Sequence, residues 1–111
     1  MKKSEIIKKS NEFTDLITNS KFIKTNEYII YYKDNDLSKK RFGIAISNKI
    51  GNAVTRNKLK RQTREIIDTL KNLFKNNRDY IIMIRKEAKT TSFRNRVTNL
   101  EKILKENNKW N

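Results

Sequence analysis

The chain has 111 residues, 27 of them Lys or Arg against 12 Asp or Glu, giving a formal charge of +15. That is the length of one domain, expected to span 1–111 with fraying at about 1–8 and 107–111, and its charge is best tolerated beside a polyanion. Cys and His are absent, which excludes disulfides, thiolate zinc sites, cysteine nucleophiles and histidine general bases.

The first helical pattern is Phe13, Leu16 and Ile17, with Ser10 and Asn11 as cap candidates and Asn19 and Ser20 behind. From Phe22 to Lys33 the chain is rich in β-branched and aromatic residues and reads as one strand. Tyr28, Ile30 and Tyr32 share one face of it, and Ile29 and Tyr31 the other. "DNDLSKK" supplies turn chemistry, and "RFGIAIS" reads as its hairpin partner. Phe42, Ile44 and Ile46 form the bulky face of that second strand. Gly43, Ala45 and Ser47 form a small face that lets other groups approach closely.

A helix is expected from about Ala53 to about Phe74, because Leu59, Thr63, Ile66, Ile67, Leu70 and Phe74 recur at three- and four-residue intervals. "KNNRD" closes it. Tyr80 to Ile84 is a continuous apolar run of the kind a central strand needs when both faces are buried. A last helix follows, with Phe93, Val97, Leu100 and Leu104 on its core stripe and Thr90, Thr91 or Ser92 as cap. The order α-β-β-α-β-α, with a strand–helix–strand crossover, predicts an α/β (α+β) two-layer sandwich on a small mixed sheet.

The long helix carries the most informative charge pattern. At about 100° per residue from Ala53, its apolar set occupies roughly 200° to 320°, while Asn57, Lys60, Arg61 and Arg64 gather roughly between 340° and 80°. Like charges four apart, such as Arg56 with Lys60 and Lys60 with Arg64, cost roughly 0.2–0.5 kcal/mol each. The macrodipole also disfavours cations in the first half of a helix. A solvated face is the bland explanation for a basic run, yet a stripe that costs stability calls for a polyanion. The helix N-terminus offers further N–H groups to phosphate, and Asn57 and Arg61 carry suitable donors. A strand precedes this helix where a helix-turn-helix would need another helix, so shape-read RNA is favoured over DNA.

The stretch "IGNAVTRNKLKRQTR", Ile50 to Arg64, resembles the signature of the bacterial ribonuclease P protein subunit. Ile50, Ala53, Arg56, Asn57, Lys58, Leu59, Lys60, Arg61 and Arg64 match it position by position. Lys58 stands where the family usually has Arg, keeping the charge without the planar fork. The flanking elements follow in the family's order over nearly the whole chain.

The resemblance implies a ribosomal-protein-like domain with a left-handed βαβ crossover, against the general right-handed rule. It implies a protein subunit of an RNA-based endoribonuclease, whose RNA removes the 5′ leader of precursor tRNA with Mg2+ held mainly by the RNA. The implied docking surface for ribonuclease P RNA is Lys49, Arg56, Asn57, Lys58, Lys60, Arg61 and Arg64. The implied leader cleft, between the first helix and the sheet, holds Phe13, Ile17 and Tyr31, with Ile17 where many members carry Phe. Expected partners are ribonuclease P RNA and precursor tRNA, with neither DNA nor membrane. No run of about 18 apolar residues exists and no signal-like stretch follows Lys2 and Lys3, so a cytoplasmic protein is expected.

Two other readings fit the residues less well. A different structural RNA-binding protein would share the charge and fold. A nuclease with carboxylate-held metals would draw on Glu12, Asp15, Glu65 and Asp68, which are scattered among cations without paired spacing. On pattern alone, Phe13 and Tyr31 also serve as core residues. Trp110 carries no reading beyond a frayed tail.

Overall fold

A computed structural model describes residues 1–7 and 10–106; the frayed end expected at 107–111, with Trp110, lies outside them. Helix α1 spans Ser10–Asn19, and strands β1, β2 and β3 follow at Lys21–Lys24, Tyr28–Asp34 and Arg41–Ile46. Helix α2 spans Ala53–Leu70, strand β4 Arg78–Ile84 and helix α3 Phe93–Glu106. Short 3-10 turns at Asn48–Ile50, Lys71–Leu73 and Lys86–Lys89 join them.

The mixed α/β fold expected from the sequence is the observed one, but two pairings differ. The run from Phe22 to Lys33 is a hairpin, β1 and β2, with Phe22 opposite Tyr31 and Ile23 opposite Ile30. Its turn is built by Thr25, whose Oγ1 accepts the N–H groups of Glu27 at 3.2 Å and Tyr28 at 3.1 Å. A threonine hydroxyl turn needs neither Gly nor Pro, which is why the run reads as unbroken. The second difference is the partner of β3. The sheet order is β1-β2-β4-β3, so β4 lies between the two strands expected to form a hairpin. It pairs antiparallel with β2 and parallel with β3. Tyr80 to Ile84 is apolar on both faces, so this strand gains most from the centre, where both neighbours and both layers cover it.

Helices lie on both faces of the sheet. On one, α2 and α3 pack on Tyr28, Ile30, Tyr32, Phe42, Tyr80, Ile82 and Ile84 through Leu59, Ile66, Ile67, Leu70, Leu100 and Leu104. Each such fully buried side chain contributes roughly 1.5–3 kcal/mol. Phe42, Phe74 and Tyr80 form an aromatic knot, with Phe42 stacked on Tyr80 at 5.3 Å and Phe74 edge-on to both. On the other face, α1 covers Ile81 through Leu16, with Phe13, Ile17, Tyr31 and Ala45 packed around them.

Polar contacts fix the ends of these elements. Arg41 grips Asp79 with two bonds, Nε to Oδ1 at 2.8 Å and Nη2 to Oδ2 at 2.6 Å, across the β3–β4 pair. Lys40 Nζ donates to the carbonyls of Lys71 at 2.7 Å and Phe74 at 3.0 Å beyond the end of α2, and burial pushes its pKa down. The chain start is attached instead of frayed over residues 1–7. Ile6 forms a parallel bridge with Phe42, Ile7 is buried, and its N–H donates to the Phe42 carbonyl at 2.8 Å.

The core stripe of α3 also needs correction. Leu100 and Leu104 are buried and Val97 half-buried, as the periodicity predicts, but Phe93 is 36% exposed while Arg96 is only 3% exposed. Phe93 opens the helix at the rim behind Ser92, whose Oγ accepts the Asn95 N–H at 3.1 Å. Arg96 enters the interior because partners await it. It donates to Gln62 Oε1 at 2.5 Å, Tyr28 OH at 3.1 Å and the Thr91 carbonyl at 3.2 Å. Periodicity reports side-chain type, whereas burial of a charge depends on acceptors brought from other elements.

Candidate nucleic-acid interface

The loop before α2 sets up the basic surface. Ser47 Oγ accepts the Lys49 N–H, the 3-10 turn buries Ile50, and Asn52 caps the helix by accepting the Thr55 N–H at 2.9 Å. Ile50 is the apolar plug that leaves Lys49 exposed just ahead of the helix. The cap occupies one of the helix-end N–H groups that the sequence offered to phosphate.

Burial of Leu59, Thr63, Ile66, Ile67 and Leu70 fixes the rotation of α2. Asn57, Arg61 and Arg64 are consequently exposed and Lys60 is half-buried beside them. Among the described residues none of Lys49, Lys58, Lys60, Arg61 or Arg64 forms an ion pair. Acidic residues four positions on do not relieve the stripe, since Asp68 is taken by the Met1 amine at 3.1 Å. The cations are therefore held at fixed spacing and left with unused donors, the condition for gripping phosphate oxygens.

Arg56 differs from its neighbours. On the wheel it falls at roughly 300°, among the apolar residues. It is half-buried, with Nη1 donating to Asn48 Oδ1, and it braces the loop to the helix. Lys58 falls at roughly 140°, off the stripe, and lines a groove toward α3 instead.

A second surface lies across the sheet. Phe13, Ile17 and Tyr31 come together there around Leu16 and Ile81, each half-buried. The β1–β2 register adds a residue that periodicity did not single out. Phe22, 51% exposed, stands with its ring centroid 5.9 Å from that of Tyr31 at an interplanar angle of 52°. Its signal in the sequence was the Thr25 turn, which folds Phe22 back beside Tyr31. Lys86 and Lys89, also missed, border Lys49 through the turn before α3.

A family model described as Ribonuclease P matches residues 1–108 of this chain. The chain belongs to the ribonuclease P protein family. The ribonuclease P protein component of Mycoplasma mycoides subsp. mycoides SC is 42% identical over 107 residues, 96% of this chain and 98% of the relative. That of Mesoplasma florum is 40% identical over 105 residues, 94% of this chain and 96% of the relative. Among solved structures, the Staphylococcus aureus RNase P protein superposes with a TM-score of 0.84 at 31% identity, covering 98% of this chain and all of that one. The Thermotoga maritima RNase P protein gives 0.81 at 25% identity, covering 93% and 97%.

In this ribonuclease P protein, Ile17 and Lys58 are the positions at which the resemblance drawn from the sequence expects Phe and Arg. Ile17 packs on the same buried cluster as Phe13 and Tyr31, an apolar side chain without a stacking face. Of the candidate carboxylates, Asp15 meets Lys33 at 3.1 Å and Glu12 lies 3.7 Å from Arg41, at a hollow they share with Asp34, Asp36 and Asp79, while Glu65 is exposed on α2. Among the described residues no three Asp, Glu, His or Cys are placed to hold one metal ion. No helix among them is long and apolar enough to cross a membrane.

Proposed function

We propose that this chain acts as a single-domain protein subunit of ribonuclease P that docks on the catalytic RNA through α2 and receives the 5′ leader of precursor tRNA on the opposite, aromatic face. The observation that carries the reading is the set of cations on α2 without ion partners, in a chain that belongs to this family. Lys49, Asn57, Lys60, Arg61 and Arg64, with Lys58 and Arg56 at the margins, meet the phosphates and sugars of ribonuclease P RNA. Each phosphate neutralised releases counterions, so binding is driven largely by salt release.

Phe13, Ile17 and Tyr31, extended by Phe22, hold unpaired leader nucleotides, where stacking on an aromatic face is worth roughly 1–3 kcal/mol per base. The sheet separates the two surfaces, which lets one small domain hold both RNAs at once. Cleavage and its Mg2+ reside in the RNA subunit, in the cytoplasm, and the side chains here position substrate without making or breaking bonds.

The test is reconstitution. The full chain, mixed with a bacterial ribonuclease P RNA at low magnesium, is expected to restore removal of the 5′ leader from precursor tRNA well above the RNA alone. No stimulation at any protein concentration refutes the reading.

A further inference from the structure

Between the N-terminal ends of α2 and α3 and the Lys86–Lys89 turn runs an open groove of about 490 Å³. It lies on the flank of α2 away from the Asn57–Arg64 stripe, since on the same wheel Val54 falls at roughly 100°, Lys58 at roughly 140° and Gln62 at roughly 180°. Of four large apolar side chains exposed among the described residues, two, Val54 at 79% and Phe93 at 36%, border it. Exposed apolar groups gathered at a concave site mark binding surfaces more often than chance exposure does.

The Arg96 guanidinium sits 5.9 Å from the Phe93 ring centroid and is itself locked by Gln62, Tyr28 and Thr91. Gln62 spends its Oε1 on Arg96, while its Nε2 makes no hydrogen bond among the described residues. Lys58 and Lys89 stand on either wall, neither forms an ion pair among those residues, and no carboxylate lines the groove.

A flat apolar face, an amide donor and two unpaired cations together match a nucleotide: a base to stack, an acceptor edge and a phosphate. A second copy of this chain, at +15, is repelled by the same cations. We propose that the groove takes one unpaired nucleotide of the RNA on which α2 docks, its base against Phe93, its acceptor edge on the Gln62 amide and its phosphate between Lys58 and Lys89. The proposal rests on the subunit role above and adds a base-holding site that the phosphate-binding stripe lacks.

The test uses the full chain and a bacterial ribonuclease P RNA, with binding titrations, base-specific chemical probing and melting curves for wild type, Phe93→Ala, Phe93→Tyr and Gln62→Glu. Wild type is expected to protect an unpaired nucleotide. Phe93→Ala is expected to lose that protection and about 5- to 50-fold in affinity, with the salt dependence unchanged because no charge is removed. Phe93→Tyr keeps both. Gln62→Glu preserves the acceptor for Arg96, and so the fold, but repels the base edge; it is expected to lose the same protection. Wild-type affinity and an unchanged protection pattern in Phe93→Ala and Gln62→Glu overturn the groove assignment while leaving the subunit role standing. Failure of the wild-type chain to bind the RNA overturns both.

Discussion

Phe13 lies across Gly43 so closely that a Cβ on Gly43 would stand 2.5 Å from Phe13 Cζ and 2.7 Å from Ile81 Cδ1. The missing side chain is what lets α1 rest on the sheet and shape the aromatic face. Gly43→Ala must displace both the Phe13 ring and the Ile81 methyl, an overpacking expected to cost about 1–3 kcal/mol in denaturant unfolding. Adding Phe13→Ala to Gly43→Ala should recover part of the overpacking cost, and strict additivity of the two changes would argue against the contact.

Tyr31 is the aromatic that this face presents beside Phe22. Replacing it with Ala is expected to lower the ratio of precursor to mature tRNA affinity by about tenfold, the scale of a single stacked base. Mature tRNA binding should stay level, and an unchanged ratio returns Tyr31 to a packing role alone.

Arg61 and Arg64 are exposed and have no ion partner among the described residues. Substituting either by Ala is expected to weaken RNA binding and to reduce the slope of log affinity against log salt by about 0.7–1 for each phosphate no longer neutralised. The melting temperature should hold or rise, because like-charge repulsion on α2 is relieved. A large fall in melting temperature would mean that the stripe supports the fold.

Arg96 joins α3 to α2 and β2 through Gln62 and Tyr28. Arg96→Met leaves the buried Tyr28 hydroxyl and the half-buried Gln62 carbonyl short of a donor, with an expected cost of about 1–3 kcal/mol. Equilibrium unfolding reads it directly, and a neutral outcome would show that water replaces the guanidinium.

Glu5 accepts a bond from Lys71 Nζ at 2.6 Å, and this interaction holds its carboxyl below the ordinary value of 4.5. A lowered folded-state pKa gives stability that is present above the unfolded value and lost as pH falls through the folded one. Glu5→Gln should therefore cost about 1 kcal/mol or less at pH 7. The gap between mutant and wild type should close as pH drops below 4.5; a gap that persists in acid would point to packing instead of charge.

The long helix was legible because one element carries its own evidence. The interval of Leu59, Thr63, Ile66, Ile67 and Leu70 fixes its buried face, and the positions of Asn57, Lys60, Arg61 and Arg64 follow from that rotation. Phe13, Ile17 and Tyr31, which the family resemblance groups together, pack on one small cluster around Leu16 and Ile81. Strand pairing was not legible. Nothing local distinguishes β2 beside β3 from β2 beside β4, since the choice depends on which strand gains most from being covered on both faces. Phe22 and Phe93 show the same limit in side chains. One is brought beside Tyr31 by a threonine turn, and the other is left at the rim because Arg96 found acceptors on two other elements.

By itself, then, the sequence determined the charge, the helices, the face that α2 buries and the family whose signature it carries, because periodicity and short motifs are properties of neighbours along the chain. The tertiary structure alone decided the order of the sheet, the burial of Arg96 and the groove between α2 and α3. Those depend on groups 34 to 68 residues apart, such as Arg96 with Gln62 and Tyr28, whose hydrogen bonds exist only once separate elements have packed.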